Sequence, residues 1–403
     1  MECRNCSTKL NDAIVDLGSQ YLTGVFPKID EPDPVKGNLS LAFCPNCALV
    51  QLTDSFDAAL MYGSNYGYKS SLNSSMVEHL KSKSKQLSHF LTSPDSVILD
   101  IGSNDGTFLN FFAHLNHRLI GIDPTAKYFA QNYDSRISIV SDFFASDIFL
   151  SMSSNRKADL ITSISMFYDL ENPVEFCRNI KNSLSNNGIW HFEQSYAPMM
   201  IQNNSFDTIC HEHTEYYTLF TIENILKQAG LSVIDVKFND VNGGSIAINA
   251  THSESKTPPS AVVEWVRQSE TKQGFNDIQI WMNFQKKIKL HKELLIELIE
   301  TYVSKDYRVW GMGASTKGNV LLQYCQFSTK QIEKIYDINP DKLNKVTPGS
   351  RIPIVGYESF CENPPDVALV LPWHFKSNIL KKESGFLSNG GTLIFPLPTI
   401  QIY

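Results

Sequence analysis

With 403 residues, 42% hydrophobic and 19% charged, the chain is long enough for two or three domains and too apolar to be disordered. Its 35 basic and 42 acidic side chains leave a formal charge of −7, which argues against a nucleic-acid partner, since those meet basic faces. No apolar run approaches the roughly 18 residues that cross a bilayer and no leader precedes Met1-Glu2-Cys3, so a cytoplasmic protein with reduced cysteines and no membrane partner is expected.

The chain opens on two Cys-x-x-Cys pairs, Cys3-Arg4-Asn5-Cys6 and Cys44-Pro45-Asn46-Cys47. Each pair can turn two thiolates toward one ion, and two pairs complete a four-sulfur tetrahedral shell. With every position filled by protein, Cys3, Cys6, Cys44 and Cys47 are expected to hold a structural zinc ion in a module over residues 1–60. Cys177, Cys210, Cys325 and Cys361 are scattered.

An aromatic loop carrying Tyr66 and Tyr68 follows. Met76, Val77, Leu80 and Leu87 then space a helix over about residues 74–90. From residue 97, short apolar runs at 97–99, 119–122, 137–140, 160–161 and 188–190 alternate with amphipathic stretches. That alternation predicts a parallel sheet covered by helices on both faces. The polar run 251–259 reads as a linker, 276–303 as a long helix, and a second βα unit opens at Arg308-Val309-Trp310-Gly311. The expected fold is α/β in three parts: the zinc module at 1–60, a Rossmann-like domain at 61–253 and a second Rossmann-like domain at 254–403. No heptad or apolar seam sets an oligomeric state.

Val97 to Gly106 is a buried strand running into a glycine-bearing turn and a helix over 107–114. Its glycines let backbone pass close to a ligand. Asp100, Gly102, Asn104 and Gly106 belong to this turn. The next strand ends on Asp123, placed to accept from both hydroxyls of a ribose. A third ends on Asp142-Phe143, an acid for an adenine amine and a ring to flank the base. The Asp-x-Gly-x-x-x-Gly form resembles the first motif of class I S-adenosylmethionine-dependent methyltransferases.

Cys210-His211-Glu212-His213-Thr214-Glu215-Tyr216-Tyr217 is the densest group of proton-transfer residues. Its histidines stand at i and i+2, which fails the i, i+4 spacing of a helical zinc protease site. An extended segment would put His211 and His213 on one face and Glu212 on the other. By periodicity the cluster is equally a structural corner. Its position after the fifth βα strand, where an open α/β sheet keeps its crevice, makes it a candidate general base.

Gly311 to Asn319 is a second glycine loop ahead of an apolar helix. Gly313, Ser315, Lys317 and Gly318 form a candidate anion cradle at a helix N-terminus. The next strand ends on Asp337, suited to a sugar or ribose hydroxyl.

In combination these motifs resemble the nucleotide-sugar C-methyltransferases, which methylate C-3 of nucleoside-diphosphate 4-keto-deoxysugars. The likeness runs through the four cysteines, Tyr66 to Ser70, Asp100 to Gly106, Cys210 to His213 with Tyr216-Tyr217, Asn242-Gly243-Gly244-Ser245, Gly311 to Asn319, Thr347-Pro348-Gly349 and Phe395 to Pro398. It implies that the middle domain binds S-adenosylmethionine and the third domain the nucleotide part of the substrate. His213 would be the base, Glu212 its acidic partner fixing the tautomer, and Tyr66 or Tyr68 the donor to an enolate oxygen. Two positions depart from some members: Cys210 stands where they have Tyr, and Ala247 where they have Arg. The rival readings are an O- or N-methyltransferase, or a zinc-bearing nucleotide-binding protein without catalysis.

Overall fold

The computed structural model describes residues 1–56, 61 and 68–403, and three sheets organise it. The first is antiparallel: Val15–Tyr21 (β1), Lys36–Phe43 (β2) and Val50–Leu52 (β3), closed by Glu215–Tyr216 (β9), which comes from the far end of the middle domain. Val15 and Leu17 alternate with exposed Asp16 and Gly18 along β1, the period-two pattern of a half-buried strand. Leu17, Leu39 and Leu41 share one apolar cluster with Trp281, Phe284 and Ile288 of the helix Ile278–Val303 and with the third sheet. Each buried leucine contributes about 2 kcal/mol, so the hairpin is anchored to the third domain rather than hanging from its metal site.

The middle sheet contains Val97–Ile101 (β4), Arg118–Ile122 (β5), Ile137–Val140 (β6), Ala158–Ile164 (β7), Leu184–Ser195 (β8), Leu231–Asn239 (β10) and Ser245–His252 (β11). Its order is β10-β11-β8-β7-β4-β5-β6, with β11 antiparallel to both neighbours and β4 to β8 parallel. All five residues of β4 are buried, as expected of a strand covered on both faces. The chain order reverses between β4 and β7, and ligands of open α/β sheets bind beyond the strand ends at such a point.

The third sheet contains Val309–Met312 (β12), Ile335–Tyr336 (β13), Ile354–Val355 (β14), Val367–Val370 (β15), Thr392–Phe395 (β16) and Gln401–Ile402 (β17), in the order β14-β13-β12-β15-β16-β17. Only β17 runs antiparallel. The chain is therefore α/β, with two Rossmann-like sheets behind a small cysteine-bearing module.

The polar run at 251–259 is only partly a linker. Thr251 lies within β11, and its buried hydroxyl donates to the Gly188 carbonyl at 2.9 Å. The helix Ala261–Gln273, which the sequence groups with the third domain, puts Val263 and Val266 into the core of the middle sheet. The chain crosses to the third sheet after Gly274, whose φ of 72° closes that helix.

Candidate active site

The two cysteine pairs form matching knuckles. Ser7 and Ala48, each next after a pair, adopt positive φ of 56° and 58°. Their N–H groups donate to the Cys3 and Cys44 carbonyls, both at 2.9 Å. Cys3 and Cys47 sulfurs lie 3.5 Å apart, as do those of Cys6 and Cys44, and all four fall within 4.8 Å of one another. A tetrahedron of 2.3 Å zinc–sulfur bonds has edges of about 3.8 Å, so the cluster fits zinc.

An open cavity of about 1230 Å³, its mouth included, sits beyond the ends of β4, β5 and β6. Asp100, Gly102, Asn104, Asp123, Asp142 and Phe143 all line it. Asp100 is buried, and burial first, then the Asp123 charge, pushes its carboxyl up to about 7 against the hydrogen bond from Thr162. Asp123 accepts the Asn104 N–H at 2.9 Å and the Thr125 N–H at 2.6 Å, which holds the glycine turn against its strand end. Asn104 faces the other way, accepting the Ser70 N–H at 3.0 Å and donating to the Tyr68 carbonyl at 3.2 Å. It therefore clamps the segment that carries Tyr68 over the cavity. Gly106 caps the helix Thr107–Asn110 at φ 79°, with the Tyr133 ring where a Cβ would stand. That glycine serves packing and does not line the cavity.

His213 occupies the junction of the three sheets. Its Nδ1 faces the Thr208 carbonyl at 2.8 Å, which assigns the proton to Nδ1 and leaves Nε2 bare. Its ring packs on Tyr168 with centroids 4.2 Å apart. Burial first, and then the nearby Lys317 ammonium, lower its pKa to about 3, so the imidazole is neutral. The expected tautomer partner, Glu212, is elsewhere. The segment turns rather than extends at 211–212, so Glu212 points beneath Gly24 and toward Thr316, beside the Cys210 thiol, and burial raises its pKa. His211 turns away too, its ring edge-on to Phe56 at 4.7 Å. The carboxylate that shares a small cavity with His213, Tyr168 and Thr208 is Glu215. Tyr68 lines the larger cavity at 47% exposure, and Tyr66 lies outside the described residues.

In the third domain the loop is built as a turn first. The Ser315 hydroxyl caps the helix Thr316–Tyr324 by accepting the Gly318 N–H at 3.0 Å. Gly313 and Gly318 leave room for Pro372 and Leu371, each 2.8 Å from where a Cβ would stand. Asp337 accepts the Ala314 and Asn339 N–H groups, both at 2.7 Å. Those four residues, expected to touch substrate, are occupied in holding the loop. Lys317 reaches out to the middle domain, donating to the Asn242 carbonyl at 2.6 Å. Asn242 in turn lines a second cleft with Met76, His79, Asn239 and His374, and Met76 also lines the first cavity.

Sequence reasoning passed over the acid at the back of that cleft. Glu193 on β8 is buried and accepts from His79 at 2.6 Å, Lys83 at 2.5 Å and Asn239 at 2.9 Å. The i, i+4 placing of His79 and Lys83 on one helix face was its available signal.

Comparison with known proteins matches this architecture part by part. Residues 3–62 match a family model described as a zinc binding domain, 76–236 a methyltransferase domain, and 240–398 a C-methyltransferase C-terminal domain. The C-methyltransferase NovU of Streptomyces niveus is 28% identical over 407 aligned positions, covering 100% of this chain and 96% of that protein. The chain is an S-adenosylmethionine-dependent methyltransferase, similar along its whole length to that C-methyltransferase. This removes the reading without catalysis. Two solved structures are more distant: a methyltransferase of Clostridium acetobutylicum (15% identity, TM-score 0.32, 43% of this chain and 91% of that one) and the Synechocystis magnesium protoporphyrin IX methyltransferase with bound SAH (11%, 0.35, 44% and 83%). Both likenesses are too slight to carry a conclusion. The enzyme carries two resident groups, S-adenosylmethionine and a structural zinc ion. The cavity beyond β4 to β6, rimmed by carboxylates and Phe143, suits a cationic nucleoside, as the four sulfurs suit zinc. Among the described residues no helix is long and apolar enough to cross a membrane.

Proposed function

We propose that this enzyme removes the C-3 proton of a nucleoside-diphosphate 4-keto-deoxysugar and methylates the resulting enolate carbon. The observation that carries the reading is His213: neutral, with Nδ1 pinned by a carbonyl, which makes Nε2 the basic nitrogen. An sp3 carbon beside a carbonyl becomes a nucleophile once its proton is removed, so methylation there needs such a base. S-adenosylmethionine, when bound, supplies a methyl group on a positively charged sulfur. Asp100, Gly102, Asn104, Asp123, Asp142 and Phe143 would hold it, Asp123 through the ribose and Asp142-Phe143 at the adenine. Tyr68 or Tyr66 would donate to the enolate oxygen as its charge develops.

The sugar nucleotide would lie in the cleft that joins the cavity at Met76. Lys317 and the N–H groups of Thr316 and Lys317, at a helix N-terminus, would face its diphosphate. The module at 1–60, the donor-binding domain from 61 to the helix that ends at Gln273, and the acceptor-binding domain beyond Gly274 then each hold one component. A cytoplasmic site of action suits the four reduced cysteines.

The test is mass spectrometry of the enzyme with S-adenosylmethionine and a panel of nucleoside-diphosphate 4-keto-6-deoxysugars. A gain of one methylene that requires the 4-keto group supports the reading. Solvent deuterium should enter C-3 without methyl donor, and His213→Asn should abolish that exchange. Methylation at oxygen, or undiminished exchange in His213→Asn, would overturn it.

A further inference from the structure

The peptide that carries His213 faces the clefts on one side only; on the other it is held by the zinc module. β3 pairs with β9, Val50 opposite Tyr216 and Gln51 opposite Glu215, and the Leu52 N–H donates to the Thr214 carbonyl at 2.9 Å. Arg4, between the ligands Cys3 and Cys6, runs across this seam. Its Nη1 donates to the carbonyls of Leu52 and Thr214, both at 3.3 Å, and its Nη2 to the Ser55 hydroxyl at 2.9 Å. Its Nε stands 3.7 Å from Glu215 Oε1, in a pair whose side chains are 10% and 0% exposed. Its backbone N–H is held by Gln51 Oε1 at 2.9 Å, and Gln51 Nε2 reaches back to the Glu2 carbonyl at 3.1 Å.

We propose that Arg4 is a positioning residue for the methyl-transfer chemistry: it locks the first cysteine knuckle onto Thr214 and Glu215 and so fixes the peptide from which His213 is presented. The inference rests on the reading of His213 as base. Only a planar fork suits this place. One guanidinium spans two carbonyls, a hydroxyl and a carboxylate in separate directions, which a lysine ammonium at the same position cannot do. Thr214 fixes the opposite side. Its N–H and hydroxyl donate to the Tyr168 carbonyl at 2.8 and 3.0 Å, and Tyr168 is the residue whose ring packs on His213. The His213 backbone is thus clamped between the knuckle and the wall of the small cavity. The cysteine module serves the reaction through geometry, since a base displaced by about 1 Å forfeits on the order of a hundredfold in rate.

Arg4→Lys and Arg4→Ala test this in the full-length, zinc-loaded chain, with zinc counted by elemental analysis. One zinc per chain is expected to remain, with KM for both substrates within about twofold and kcat lower by roughly 10- to 100-fold. Guanidinium ion should restore part of kcat in Arg4→Ala, whereas methylammonium should not. In ¹⁵N-histidine spectra, with His213→Asn supplying the assignment, the His213 ring should lose its single Nδ1–H tautomer in both variants. A kcat within twofold of the parent, or a fall that tracks zinc loss and resists guanidinium, would overturn the proposal. The spectra keep the two readings apart. Full activity in His213→Asn removes the base, whereas an unchanged His213 ring in the Arg4 variants removes the positioning.

Discussion

The acid limb of the pH–rate profile follows from the surroundings of His213. Only the neutral imidazole can take a proton, so the enzyme works above the histidine's pKa and fails below it. Burial chiefly, and Lys317 second, lower that pKa from 6.5 to about 3. At pH 5.5 a histidine of ordinary pKa would be about 90% protonated, and kcat/KM would have fallen about tenfold. With a pKa of about 3, less than about 1% is protonated and nothing is lost. We therefore expect kcat/KM, which reports the free enzyme, to stay level from pH 8 to 5. Lys317→Met removes a positive charge that disfavours the imidazolium, so its acid limb should move up by about one pH unit. The assay is the initial rate of product methylation at constant ionic strength, with near-UV circular dichroism recorded at each pH to exclude unfolding. A parent limb centred near 6.5 would mean that His213 is solvated or is not the base.

Three further outcomes follow from packing. Gly106→Ala forces a Cβ to 2.8 Å from the Tyr133 ring at φ 79°; the left-handed conformation alone costs about 1–2 kcal/mol, so the urea midpoint should fall and donor binding weaken, and an unmoved midpoint would contradict this. Cys6→Ser leaves three sulfurs, and the variant should lose its zinc to a chelator that leaves the parent loaded, with kcat falling in step. Trp373→Phe removes the indole N–H that meets buried Asp207 at 2.8 Å across the two domains. We expect a loss of about 2–3 kcal/mol in urea unfolding, and Asp207→Asn in the same chain should recover part of it. Strict additivity of the two substitutions would show that they do not interact.

What could be read from sequence was whatever spacing alone determines. Cys-x-x-Cys twice brings four sulfurs together because each knuckle is local, and the unbroken apolar run at 97–99 marks a strand buried on both faces. The acids at strand ends also fell where expected, since β-strand ends share one edge of the sheet. The antiparallel pair β10 and β11 went unread, because Thr251 and His252 look like loop residues until a neighbouring strand takes their hydrogen bonds. The partner of His213 was illegible for a different reason. It is the carbonyl of Thr208, and a carbonyl leaves no mark on side-chain identity. Glu212 took that role from the family resemblance, but the turn at 211–212 sends neighbours in opposite directions.

The two glycine loops explain why a strand-end acid is weaker testimony than it looks. The Gly102 N–H donates to the Ile122 carbonyl and the Gly313 N–H to the Tyr336 carbonyl, both at 2.8 Å. Asp123 then accepts from Asn104 in the first loop, and Asp337 from Ala314 in the second. The two loops are joined alike although no repeat is visible in the sequence, because a turn leaving a parallel strand must find acceptors for its own N–H groups. An acid at the end of the next strand meets that need whether or not a ligand ever arrives. What separates the pair is what lies beyond. Asp123 also borders an open cavity, whereas Asp337 is buried with Lys342 3.9 Å away. In the third domain the cation that could turn to an anion is Lys317, and its hold on Asn242 joins that domain to the one that carries His213.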